Sequence, residues 1–222
     1  MRKIIICFLG CFLLFFCFVP ADAGDTSDYI FYGFSDDLRY CAFETYGVQG
    51  GNGFPYSIFY IVDVDKNKYA VKPMALYDEK NHNLQQTREL NAYNASANLN
   101  KYRINPVNMG RMIFTNPKDK YLQVFKIGEE IYALRLLEKD ADILQTEDVK
   151  EKILELQLIK NQKVIVLQKD KSLPRSRGYA YRYRLVSAYI NKNKIAVFVE
   201  YERKGFEGPE VRQIVITGVI DR

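Results

Sequence analysis

The sequence predicts an exported, mainly β domain built from antiparallel meanders with one inserted helix. Three observations carry this reading. Short runs rich in Tyr, Phe, Ile and Val recur along the chain, separated by Gly, Asn, Asp and Pro turns, which is the punctuation of strands and hairpins. Aromatic residues suited to a pleated, half-buried surface are plentiful, with 17 Tyr and 14 Phe. One segment alone, near residues 84–100, lacks strand alternation and repeats at helical spacing.

The chain opens with a leader. Arg2 and Lys3 precede an unbroken apolar run over 4–19, Pro20 ends it, and Ala21-Asp22-Ala23 supplies a small-x-small cleavage pattern. The run is short for a span, which takes about 20 apolar residues to cross roughly 30 Å of hydrocarbon. Cleavage is expected before Gly24, leaving a single β-rich domain over 24–222 with no permanent membrane span. Leu9-Gly10-Cys11 loosely matches a lipoprotein box, but Cys11 lies inside the apolar run. Cys7, Cys11 and Cys17 leave with the leader, so Cys41 remains alone and is expected to be a buried structural thiol. The net charge of +5 is too mild to mark a nucleic-acid binder.

Strands are expected at 29–34, 39–46, 56–64 and 69–77, joined by a turn at Ser35-Asp36-Asp37, a glycine-rich loop over 47–53 and a turn over 65–68. In the helix that follows, Leu90, Tyr93 and Ala97 mark an apolar stripe, and Asn105-Pro106 lies beyond its end. Strands resume at 111–115, 121–127 and 130–137. Over 152–169 Thr146 offers a helix cap, yet Leu154, Leu156 and Leu158 alternate, and so do Val164 and Val166 after Asn161-Gln162; a hairpin is the better reading. Three strands close the chain at 180–190, 194–201 and 211–219.

The first and last hairpins echo each other. Residues 39–44 align with 195–200, and loops holding Gly53-Phe54 and Gly205-Phe206 follow. The run from Gly33 to Tyr40 with 59–64 resembles half a propeller blade of the TolB-like kind. At about 40–45 residues per blade the length suits only a partial or degenerate propeller. A β-sandwich with a helical insertion is the alternative. If the two hairpins share a core, the alignment places Cys41 and Phe43 on the same side as Val197 and Val199.

Three segments in order carry a further resemblance: Phe43-Glu44-Thr45-Tyr46-Gly47-Val48-Gln49 with Gly53-Phe54-Pro55-Tyr56-Ser57, then Leu173-Pro174-Arg175-Ser176-Arg177-Gly178, then Gly205-Phe206-Glu207-Gly208-Pro209. Behind a leader, they resemble the predicted secreted bacterial proteins grouped as domain of unknown function 2259. That resemblance implies export and a β-rich fold, and no reaction. A cysteine after the Ser-Arg-Gly triplet belongs to the pattern; this chain has Tyr179 there, so Cys41 gains no partner from it.

Candidate chemistry is sparse. His82 is the one histidine and lies in a polar run, which suits neither a two-histidine metal site nor a triad. Asp63, Asp65 and Asn67 have the opening spacing of a calcium loop, but Lys68 replaces the glycine and Met74 the closing glutamate, so a hairpin turn is expected. The 47–53 loop leads into a strand rather than a helix, which argues against phosphate binding. Glu44 and Glu200 fall at matching positions of the echoed hairpins, and a close carboxylate pair is what glycoside hydrolysis uses. The alternative is two glutamates at solvated strand ends. Finally, an extended 175–184 segment puts Tyr179, Tyr181 and Tyr183 on one face and Arg182 and Arg184 on the other, a surface suited to sugars or anionic polymers, although an ordinary strand with its tyrosines half-buried and its arginines in water is the better reading. No cofactor or metal is called for. The sequence therefore favours a non-enzymatic envelope module that binds a protein or polymer, with an envelope-glycan hydrolase as the alternative.

Overall fold

Alternating apolar side chains bury one face of each meander, and the computed structural model shows what covers those faces. It describes residues 24–80, 83–141, 150–205 and 208–220. Residues 1–23, His82, the Thr146 cap and Phe206-Glu207 lie outside the described residues.

The first sheet comprises β1 (Ser27–Phe34), β2 (Tyr40–Val48) and β3 (Pro55–Asp63), with β4 (Lys68–Tyr69) and β5 (Met74–Tyr77) both paired to β3. The run expected at 69–77 is thus two short strands, because Pro73 has no N–H to give to a ladder. Helix α1 (Leu84–Lys101) follows, with Asn83 as its cap: its side-chain oxygen accepts from Gln86 N at 3.1 Å. The second sheet is the meander β7 (Leu122–Ile127), β8 (Glu130–Asp140), β9 (Lys152–Lys160) and β10 (Lys163–Lys169), so 152–169 is indeed a hairpin. The third sheet has the order β13-β12-β11-β6, from β6 (Arg111–Thr115), β11 (Ala180–Asn191), β12 (Lys194–Lys204) and β13 (Pro209–Val219).

The third sheet lies between the other two. Ile195, Val197 and Val199 of β12 pack with Leu134, Leu136, Leu154, Leu156 and Leu158 of the second sheet. Ala196 and Phe198, on the opposite face, pack with Phe31, Cys41, Phe43 and Val62 of the first. Phe198 is the hub of that inner core, stacked on Tyr29 at 4.3 Å and edge-on to Phe43 at 5.6 Å between ring centroids. The described residues form three open, stacked antiparallel sheets, and none closes into a barrel. The arrangement is sandwich-like.

The echoed hairpins do share a core, with one correction. Cys41 and Phe43 meet Ala196 and Phe198, while Val197 and Val199 face the other core. A strand covered on both faces is apolar at every position, so its alternation carries no information about which side is which. The helix needs a second correction. Leu90 and Tyr93 are 51% and 77% exposed, and Ala97 is exposed too. The buried stripe is Thr87, Asn91 and Ala95, laid across β3. It binds the sheet through polar groups: Asn91 Nδ2 lies 2.8 Å from Ser57 O and 3.0 Å from both Ser57 Oγ and Met74 O.

Cys41 is fully buried, and burial pushes its thiol well above the ordinary value. The native protein is therefore expected to resist thiol reagents and to label only on denaturation. Cys41→Ala should cost about 1–2 kcal/mol, read from a denaturant midpoint. Rapid labelling of the native form would show an accessible thiol.

Candidate functional site

The carboxylates singled out in the sequence have separate partners. Glu44 is 0% exposed beneath α1. Arg88 forks onto it, Nε to Oε1 at 3.0 Å and Nη2 to Oε2 at 2.9 Å, while Ser57 Oγ donates at 2.9 Å and Tyr32 OH at 3.2 Å. The Arg88 guanidinium also sits 3.8 Å from the centre of the Tyr46 ring. Burial, and then the Glu44 charge, push the Tyr32 phenol up to about 12. Glu44 is thereby sealed as an acceptor. Glu200 is half-buried on β12 and bridges to Arg184 at 2.8 Å.

The tyrosine and arginine stripe is also dispersed. A bulge between Ala180 and Arg182 breaks the alternation that placed Tyr179, Tyr181 and Tyr183 together. Tyr183 is fully buried; its hydroxyl donates to Lys152 O and accepts from Arg177 Nη1, both at 3.1 Å, and burial first pushes it up to about 12. Arg177 is itself buried and pairs with Asp170 at 2.6 Å. This pins the 175–177 turn against the core, which accounts structurally for the Arg-Ser-Arg-Gly segment. Tyr179 is 63% exposed, Tyr181 half-buried, and Arg182 and Arg184 share Glu202. The Asp63–Asn67 segment is a turn. Asp63 Oδ1 accepts from Lys66 N at 3.2 Å, and Asn67 ties three sheets together by donating to Gln168 and accepting from Thr217 N.

Sequence reasoning missed a different site. A cleft of about 440 Å³ opens where the glycine-rich β2–β3 loop, the start of β13 and Ser176 converge. Its aromatic walls are Tyr56, Tyr60, Tyr77 and Tyr201, with the Tyr56 and Tyr77 rings 5.9 Å apart. Its charged groups are interlocked: Arg212 Nη2 meets Asp25 Oδ2 at 2.5 Å and Glu210 Oε2 at 3.2 Å, and Arg203 Nη2 meets Glu210 Oε2 at 2.6 Å. The Arg212 guanidinium stands 5.6 Å from the Tyr56 ring centre. Burial raises the phenols of Tyr56, Tyr60 and Tyr201 above their ordinary value, so they stay protonated near neutral pH. One local signal existed: Glu210 and Arg212 alternate on β13, opposite Arg203 and Tyr201 of β12. Asp25 had none, since 187 residues separate it from Arg212.

The family model described as a predicted secreted protein, domain of unknown function 2259, matches residues 42–219. The chain belongs to that family. The matched region takes in most of the first sheet, the helix, the other two sheets and most of the cleft, while Asp25 and β1 precede it. No curated protein matches the chain. The family description agrees with export, and no helix among the described residues is long and apolar enough to cross a membrane.

Proposed function

We propose that this secreted protein is a non-enzymatic binding module of the cell envelope, and that the cleft holds a hydroxyl-rich polymer such as an envelope glycan. The tyrosine-walled cleft carries the reading. Aromatic rings take the apolar faces of sugar rings, and neutral phenols with carboxylate-bound arginines hydrogen-bond hydroxyls without demanding net charge. The hydrolase alternative relied on Glu44 and Glu200, and the sealed environment of Glu44 gives it no support.

The test is titration of the exported protein with soluble envelope-glycan fragments by calorimetry. Tyr77→Ala removes a half-exposed ring and should weaken binding about tenfold, or about 1.4 kcal/mol, while leaving the melting temperature within about 2 °C. Tight binding that ignores this substitution would move the ligand elsewhere, and an absence of binding to every envelope polymer would end the proposal.

A further inference from the structure

The described chain begins in a tightly packed strip. Thr26 bridges Val211 in parallel, Val211 N donates to Asp25 O at 2.8 Å, and Arg212 Nη1 donates to the same oxygen at 3.0 Å. Ser27 and Gln213 exchange hydrogen bonds one step further on. Gly24 continues this strip alongside Pro209. A Cβ there would stand 2.2 Å from Pro209 O, so only glycine permits the approach. The Gly24 nitrogen lies beside the β12–β13 turn, 3.5 Å from where a Cβ on Gly208 would be.

Asp25 is incompletely satisfied. Its Oδ2 takes Arg212, but its Oδ1 is buried and has no hydrogen-bond partner among the described residues. A buried carboxylate oxygen without a donor is unfavourable. Arg203 and Arg212 are already engaged by Glu210 and Asp25, so the neighbouring cations leave that oxygen unserved. The leader pattern ends at Ala23, and cleavage there would convert the neutral Gly24 amide into a cation with three donors, one residue from this oxygen.

We infer that removal of the leader installs the Gly24 α-ammonium as the missing partner of Asp25 Oδ1, clamping the new N-terminus against β13 at the rim of the cleft. The clamp links maturation to the finished form of the cleft wall. It rests on cleavage after Ala23 and stands apart from the glycan reading.

Its pH behaviour has a definite sign. The titratable groups around Asp25 in the cleft are Glu210 and Arg212 on β13, Arg203 on β12 and Tyr56 on β3. A carboxylate partner raises the folded α-amino value above its unfolded value of about 7.7–8.0. The stabilisation is therefore complete below that unfolded value and is lost as pH rises through the folded one. Tyr56, raised by burial, does not titrate in that window.

The test compares chain 24–222 with a free Gly24, confirmed by N-terminal sequencing of the exported protein, against the same chain acetylated on that amine. At pH 6 the free form should melt about 2–4 °C higher, and the difference should vanish near pH 10. NMR titration should place the folded α-amino group above its ordinary value, and Asp25→Asn should return it. Equal melting temperatures at pH 6, an unshifted α-amino group, or an exported protein that begins elsewhere than Gly24 would each overturn the clamp. Loss of glycan binding alone would not touch it.

Discussion

A chain ended at Lys192 should show no cooperative thermal transition. The truncation removes β12 and β13, and β12 contributes side chains to both cores. Ile195, Val197 and Val199 are lost from the core that holds the second sheet's leucines, and the loss of Phe198 leaves the rings of Tyr29, Phe31 and Phe43 without their common partner. Burying one such side chain contributes about 1.5–3 kcal/mol, so these four together approach the 5–15 kcal/mol by which whole domains are stable. The cut also bares the edge of β11 along its full length. Calorimetry should find no unfolding peak, with strong binding of a hydrophobic dye. A retained sharp transition would mean that the first sheet and its helix fold as an independent unit.

Arg88→Ala should be the most damaging single substitution beneath the helix. It strands Glu44, which is 0% exposed, with only two neutral hydroxyl donors, from Ser57 and Tyr32. Removing one partner of a buried ion pair costs about 3–5 kcal/mol. At about 2–4 °C per kcal/mol for a chain of this size, the melting temperature should fall by roughly 10 °C. Arg88→Lys keeps the charge but loses the fork and the contact with Tyr46, so an intermediate loss is expected. Pairing Arg88→Met with Glu44→Gln should recover part of the stability, because the uncompensated charge is then gone. A loss below about 1 kcal/mol for Arg88→Ala would show that water reaches Glu44.

Much of the framework was legible in the residues. The second sheet is the clearest case: the 152–169 hairpin is present and Leu154, Leu156 and Leu158 point inward, although on its second strand Ile165 and Leu167 meet the core while Val164 and Val166 are exposed. The pattern at 111–115 predicts a strand with the observed bounds, and the helical spacing predicts Leu84–Lys101 to within a few residues. What failed was the facing of elements whose surroundings are unusual. The α1 stripe was sought in Leu90, Tyr93 and Ala97, because helices ordinarily bury their apolar side, but this one rests on Glu44 and Ser57 and buries Thr87 and Asn91.

The β class, the helix and most strand positions follow from local chemistry: side-chain period and turn residues are properties of neighbours in the chain. The stacking order of the three sheets is not such a property. It decided that β12 would be covered on both faces, that Glu44 would be sealed by Arg88 from 44 residues away, and that Asp25 would meet Arg212 from 187 residues away to wall a cleft. Those pairings come from which faces stack and which edges meet, and a one-dimensional pattern holds no record of what lies across a layer.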